Sequence, residues 1–467
     1  MLFSGLPFLF FFLPLTLLLY FLTPRRGKNL VLLAASLFFY AWGEPKFIVF
    51  MLVSILLGYF SGLLVEKYKS RPRRCRGILT ISILLILSLL VYCKYTDFFL
   101  STLSTLLGRD IPLLGVVLPI GISFYTFQIT SYVVDVYRGD VAAQRNIIDL
   151  AAYIALFPQL IAGPIVRYAD IERELRERTH TLDGIAGGTV RFIIGLSKKV
   201  LIANVLYELI TNYKAATSPS VLYAWLYAAA CMLHIYFDFS GYSDMAIGLG
   251  RILGFSFPEN FNYPYISASV TEFWRRWHMT LGSFFRDYVY IPLGGNRVAK
   301  WKWIRNIIIV WMLTGLWRGA AWNFVLWGVY FAVFLLFEKL WFHKILEKSR
   351  ILRHVYVLLV IAVSFVLFDA DSVGAGFAQI GALFGAGTHS LVDPIGLYTL
   401  RSYAVLLIIA ILGATPLPKM LVTRLYESRV GARVTAIMQP VVTLALAVLC
   451  TAYLVDGSFN PFLYFRF

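Results

Sequence analysis

Long apolar runs alternate with short basic stretches at both ends of the chain, and the alternation breaks down in the middle. Residues 5–23, 29–42, 47–65 and 77–93 are near-continuous hydrophobic segments, and 354–368, 401–415 and 435–455 repeat the pattern toward the C-terminus. Such runs predict membrane-spanning helices. The links between them are basic. Arg25, Arg26 and Lys28 follow the first run, and 66–76 carries Lys67, Lys69, Arg71, Arg73, Arg74 and Arg76. The 343–353 stretch is basic too, and 417–433 holds Lys419, Arg424, Arg429 and Arg433. Positive charge collects on the cytoplasmic side of membrane proteins. Two spans separate 24–28 from 66–76, so both fall on that side, and the parity of spans places both termini outside. Residues 1–23 lack a basic leading region and a small-residue cleavage site, so they predict a first membrane helix rather than a removable signal. Residues 369–400 predict a longer, weakly polar outer loop with Asp369, Asp371 and Asp393.

Between 111 and 342 the apolar runs are interrupted by Pro, Gly and charge, as at Leu118-Pro119-Ile120-Gly121, Phe157-Pro158-Gln159 and Gly163-Pro164. Residues 258–303 are too polar to span. Irregular or polar backbone survives at membrane depth only where protein or a water-filled cavity surrounds it. This third therefore predicts a functional core with re-entrant or in-plane helices. No internal repeat is visible, which removes the sequence support for an inverted-repeat transporter. The expected fold is an all-α polytopic integral membrane protein. It forms a single membrane domain over 1–467, with N-terminal helices in 1–110, a core in 111–342 and C-terminal helices in 343–467.

Composition agrees. Of 467 residues, 59% are hydrophobic and 14% charged, and the mean hydropathy is +0.74. A soluble domain of this size needs far more polar surface. The net charge of +17 would suggest nucleic acid in a soluble protein. Here the basic residues sit largely between apolar runs, where they suit anionic lipid headgroups, so membrane lipids and not nucleic acid are the expected partners. Cys75, Cys93, Cys231 and Cys450 are scattered without ligand spacing, so neither a metal site nor a disulfide framework is expected.

Four clusters carry candidate chemistry. In Thr271-Glu272-Phe273-Trp274-Arg275-Arg276-Trp277-His278, helical spacing puts Trp274 and His278 on one face and Glu272 and Arg276 on another. Two arginines beside a histidine suit a phosphate-rich ligand. The same spacing suits an interfacial amphipathic helix with tryptophans as its belt. The second cluster, Arg286-Asp287-Tyr288 through Gly294-Gly295-Asn296-Arg297, ends in a turn that either cradles phosphate or simply reverses the chain. The third, Phe237-Asp238-Phe239-Ser240-Gly241-Tyr242-Ser243-Asp244, places two carboxylates in an apolar stretch. His234 stands one turn before Asp238, in position to pair with it. A buried polar network and a transporter's proton relay are both open readings. The fourth is Gly315-Leu316-Trp317-Arg318-Gly319-Ala320-Ala321-Trp322-Asn323, a cation and an amide among tryptophans inside an apolar run. A charge at that depth marks a functional site or a structural arginine bonded to helix-end carbonyls.

Taken together these stretches resemble the membrane-bound O-acyltransferase family, and most closely its bacterial alginate and peptidoglycan O-acetyltransferase subunits. The resemblance is tightest over 118–330. It rests on Leu-Pro-Ile-Gly-Ile-Ser-Phe-Tyr at 118–125, Phe-Pro-Gln-Leu-Ile-Ala-Gly-Pro-Ile-Val-Arg at 157–167, the Asp238 stretch at 236–248, Glu-Phe-Trp-Arg-Arg-Trp-His at 272–278, Arg-Asp-Tyr at 286–288, Leu-Gly-Gly-Asn-Arg at 293–297 and Gly-Leu-Trp-x-Gly-Ala at 315–320. It implies a ring of roughly ten to twelve transmembrane helices around a thin core crossed by a tunnel, in the bacterial cytoplasmic membrane. It implies acetyl-CoA as cytoplasmic donor with no permanently bound cofactor. The acceptor would be an extracytoplasmic polysaccharide, reached through an esterase-like partner. His278 matches the family's first polar active-site position, and Arg318 stands where its catalytic histidine stands. Trp274, Arg275, Arg276, Trp277, Asp238, Tyr242, Asp287, Asn296, Trp317, Trp322 and Asn323 would line the donor site or tunnel. Arginine stays protonated and makes no general base. The resemblance therefore implies an altered or inactivated site that Arg318→His restores. D-alanyl transfer to teichoic acid and a non-catalytic acyl conduit or scaffold are the alternative readings.

Overall fold

A computed structural model describes residues 1–342, 349–386 and 390–457. Most of the basic stretch 343–353, and the C-terminus at Phe467, lie outside the described residues. The described chain is built of helices, and its one ladder contact is an isolated antiparallel bridge between Phe261 and Trp277. Among the described residues, seven helices are long and apolar enough to cross a membrane: Pro45–Lys67, Pro72–Leu107, Val221–Ile252, Trp322–Phe342, Arg350–Asp369, Pro394–Gly413 and Arg429–Asp456. Phe8–Leu22 and Val373–Leu383 are shorter apolar helices. In lipid a helix is the simplest way to satisfy every backbone polar group, and these runs take it.

The basic links are shorter and more helical than their charge suggests. One helix runs to Lys67 and the next begins at Pro72, so Arg73, Arg74 and Arg76 occupy its first turns. Proline at the first helical position forfeits no hydrogen bond. The expected outer loop 369–400 contains the Val373–Leu383 helix, capped by Ser372, and the start of the Pro394–Gly413 helix, capped by Asp393. The expected loop 417–433 contains the Leu417–Tyr426 helix and the first turn of Arg429–Asp456, capped by Ser428. Side-chain caps satisfy the free amides of a first turn, so polar residues begin helices here rather than end them.

The chain packs as two compact units. One comprises Met1–Phe192 with Met245–Pro258, and the other Ile193–Asp244 with Glu259–Phe467. In the first, the Ile48–Lys67 helix meets the Ile122–Arg138 helix through Gly58 against Ile129 and Gly62 against Tyr132. In the second, the Lys300–Arg318 and Trp322–Phe337 helices form a hairpin. A Cβ on Gly315 would lie 2.3 Å from the Phe324 carbonyl oxygen, and one on Gly328 2.3 Å from that of Trp311. Small residues let membrane helices touch backbone to backbone. Trp274, Trp311, Trp327 and Phe331 fill the adjoining space in edge-to-face contacts.

Candidate active site

The polar stretch 258–303 folds back on itself. The Asn262 amide donates to the Arg276 carbonyl at 2.9 Å, and the Met279 amide to the Asn260 carbonyl at 3.0 Å. The helix Val270–Arg276 starts on Ser269, whose hydroxyl accepts from the Glu272 amide at 2.9 Å. Its first turn is also held by the buried Glu338 carboxylate, which accepts from the Val270 amide at 2.5 Å and from the amide and hydroxyl of Thr271, each at 3.1 Å. An anion belongs at the positive end of a helix. Glu338 comes from Glu338–Phe342, a π-helical turn that prolongs the Trp322–Phe337 helix. The fold thus ties the short helix to a spanning one.

That helix delivers His278. The residue stands between Val270–Arg276 and Met279–Phe285 with φ 44° and ψ 54°, in the left-handed region. A side chain held there costs about 1–3 kcal/mol and persists only where its surroundings enforce it. The imidazole is 1% exposed. Its Nδ1 lies 2.9 Å from Asn260 Oδ1, which also accepts from the Thr280 hydroxyl at 2.9 Å. The Asn260 amide nitrogen donates to Ser243 Oγ at 3.0 Å. The other ring nitrogen, Nε2, has no hydrogen-bond partner among the described residues. The ring stands edge-on to Phe239 at 4.7 Å and packs on Trp317 at 5.6 Å.

Arg318 ends the Lys300–Arg318 helix and is 6% exposed. Its guanidinium carbon is 5.1 Å from the Trp317 ring, 5.7 Å from Phe239 and 6.0 Å from Phe368, within cation–π reach of all three. Phe239 and Trp317 therefore touch both the histidine and the arginine. Burial first, and the Arg318 charge second, push the His278 imidazole well below its usual range, so it stays neutral.

His278 lines a cavity of about 220 Å³ with Trp274, Trp311, Thr314 and Tyr290. A second cavity of about 720 Å³ is lined by Asn296, Lys300 and Trp303. Arg286, Tyr290 and Lys339 line both. A largely apolar cavity thus lies beside a wider one with basic residues in its lining.

Of the residues singled out in the sequence, Trp274 and His278 line the smaller cavity and Asn296 the larger. Arg275 is exposed, and Arg276 turns away to Glu272 at 2.9 Å and to the Asn262 carbonyl at 3.1 Å. Trp277 is buried against Phe273. Asp287 pairs with its neighbour Arg286 at 2.7 Å. Asp238 pairs with Lys199 at 2.5 Å, both almost wholly inaccessible, and Asp244 with Lys198 at 2.6 Å. His234 Nδ1 meets the Ala203 carbonyl at 2.9 Å. Tyr242 is buried on the same helix, Trp322 is exposed, and Asn323 donates to the Ala370 carbonyl at 3.0 Å. The Gly-Gly-Asn-Arg segment is a turn. Both its glycines have positive φ, and their amides donate to the Ile291 and Tyr290 carbonyls, so they are not turned toward a ligand. Sequence reasoning missed Asn260, Lys300, Glu338 and Lys339. The Ser-x-x-Glu pattern at 269–272 signals the helix start, but nothing local signals the others. Among the described residues, no group of three His, Cys, Asp or Glu side chains is placed to hold a metal ion.

The helical chain thus sets a buried histidine, with an arginine beside it, in the lining of a largely apolar cavity next to a basic one. Residues 140–368 match the membrane-bound O-acyltransferase family. The probable alginate O-acetylase AlgI of Azotobacter vinelandii is 44% identical over 84% of this chain and 80% of its own. That of Pseudomonas putida is 39% identical over the whole of both chains. The peptidoglycan O-acetyltransferase of Helicobacter pylori is 33% identical over 84% of this chain and 81% of its own. The chain belongs to the membrane-bound O-acyltransferase family and is an O-acyltransferase by class.

Proposed function

We propose that this protein moves an acetyl group from acetyl-CoA to a hydroxyl of a cell-envelope or extracellular polysaccharide, with His278 as the proton acceptor. The observation that carries the reading is His278, a buried residue in the lining of the smaller cavity whose Nε2 has no hydrogen-bond partner among the described residues. A neutral imidazole is a competent base, and Arg318 is not. As the hydroxyl oxygen attacks the thioester carbonyl, Nε2 takes its proton. That attack forms the new C–O bond, the tetrahedral intermediate then collapses with cleavage of the C–S bond, and the imidazolium gives the proton to the leaving sulfur. Arg318, fixed beside the ring, offers positive charge to the transient oxyanion. The donor's phosphates meet Arg286, Lys300 and Lys339 in the wider cavity, and the acyl thioester end enters the narrower one. Lys339 adjoins the basic 343–353 stretch, so the donor side is cytoplasmic by the charge rule. The acceptor side is extracytoplasmic and is served by an esterase-like partner protein. The protein resides in the bacterial cytoplasmic membrane.

The test is transfer or hydrolysis of radiolabelled acetyl-CoA by purified protein in lipid vesicles. The chain as it stands is expected to release label, and His278→Ala to lower the rate by about 10²–10⁴-fold, the usual contribution of a general base. Activity that emerges only in Arg318→His would return the base to position 318 and overturn the role of His278. Turnover with an activated D-alanyl donor but not with acetyl-CoA would change the acyl group. Passage of label with no chemistry in either form would make the chain an acyl conduit.

A further inference from the structure

We propose that Asn260 is a positioning residue that, bridged to Ser243 and Thr280, fixes the proton of His278 on Nδ1 and leaves the Nε2 lone pair available as the base. The inference rests on the reading of His278 as the base. A neutral imidazole is a base only through its unprotonated nitrogen, so its tautomer decides whether Nε2 accepts a proton or merely donates one. Asn260 Oδ1 lies 2.9 Å from both His278 Nδ1 and Thr280 Oγ1, while its amide nitrogen is taken by Ser243 Oγ at 3.0 Å. In this arrangement both Nδ1–H and the threonine hydroxyl donate to one carbonyl oxygen.

The opposite assignment, with Nδ2 against His278, puts the ring proton on Nε2. That nitrogen has no acceptor among the described residues, and an orphaned buried N–H is rarer and costlier than an unused lone pair. The backbone reinforces the choice. The Met279 amide donates to the Asn260 carbonyl, so the residue that sets the tautomer is also pinned to the residue after the histidine. Ser243 lies on the Val221–Ile252 helix, which gives the polar Ser-Gly-Tyr-Ser stretch a task at the site without contact to the reacting atoms. The charged groups around the imidazole are Arg318 at its side and Arg286 and Lys339 in the cavity wall.

The experiment is nitrogen NMR on full-length protein with ¹⁵N-labelled histidine in nanodiscs, the His278 signal being identified by its loss in His278→Gln. The expected result is a protonated Nδ1 and an unprotonated Nε2 at neutral pH. Asn260→Asp places a carboxylate on Nδ1–H, so the ring should protonate at a pH at least about one unit higher, and the acid limb of the transfer rate should move the same way. Asn260→Leu should lose the tautomer preference and lower transfer about tenfold or more while thermal unfolding still shows a cooperative fold. An Nε2–H signal in the unaltered protein would overturn the proposal, and so would an unmoved titration in Asn260→Asp. The NMR pattern without acyl transfer by any form would instead sink the assignment of His278 as base and leave the tautomer lock standing.

Discussion

Lys199 and Asp238 are 1% and 0% exposed and 2.5 Å apart. Removing one partner of such a pair strands a charge, which typically costs about 3–5 kcal/mol, whereas replacing both with apolar groups of similar volume is often neutral. Asp238→Asn should therefore lower the unfolding temperature sharply, and the Lys199→Met, Asp238→Leu double variant should regain most of it in a thermal-shift assay. Equal damage from the double variant would give the pair a role beyond stability. His278 predicts a pH dependence of the opposite kind. Its folded form resists protonation while the unfolded chain takes up a proton near the ordinary value of 6.5. The unfolded state therefore binds more protons as pH falls below that value, and stability is lost there and unchanged above it. Unfolding temperatures at pH 7.5 and 5.5 should diverge more for the unaltered protein than for His278→Gln. The sequence announced Asp238 because a carboxylate in apolar company stands out, and His278 because it closes a run of arginines and tryptophans. It was silent on Lys199 and Asn260, because a partner reached through the fold leaves no local mark.

At the scale of the element, the hairpin of Lys300–Arg318 and Trp322–Phe337 depends on two missing side chains. A methyl at Gly315 or Gly328 would lie 2.3 Å from a backbone oxygen, and backbone does not give way as a flexible side chain does. Gly315→Ala should pry the helices apart, shift Trp311 and Thr314 in the cavity wall, and reduce both folded yield and transfer. Gly77→Ala, in the Pro72–Leu107 helix where a Cβ meets nothing within 4 Å, is the matched control and should be neutral or stabilising by up to about 1 kcal/mol. Hydropathy made the spanning helices legible, since lipid imposes both length and composition on them. It did not reveal the short helices in 369–400 and 417–433. Charge and polarity measure distance from lipid, whereas helix formation in those links turns on caps such as Ser372, Asp393 and Ser428.

For the whole molecule, the spans carry exposed apolar side chains such as Val405, Ile408 and Ile411 on Pro394–Gly413, surface that water would reject and lipid accepts. Orientation rests on charge bias and parity. A cysteine at Arg73 should label from the cytoplasmic side and one at Arg109, beyond the far end of the Pro72–Leu107 helix, from the outside. In the second unit, Arg424 and Asp371 should differ in the same way. Labelling of either pair from one side would defeat the topology. Most of the expected spans coincide with helices long enough to cross, whereas the runs 5–23 and 29–42 fold as the shorter helices Phe8–Leu22 and Lys28–Gly43. The cavity was not legible in the sequence, because Lys339 and Tyr290 reach it from stretches separated in sequence by the hairpin of Lys300–Arg318 and Trp322–Phe337.

The left-handed backbone at His278 has a practical corollary. Glycine adopts φ 44° without penalty, so the position is one where deleting the side chain also relieves strain. His278→Gly should unfold at a higher temperature than His278→Ala, although both lack the ring. It also leaves a hole shaped like an imidazole in an otherwise intact protein. Free imidazole added to His278→Gly vesicles should then restore part of the lost acyl transfer, and restore less in His278→Gly combined with Asn260→Leu, where nothing remains to orient the guest.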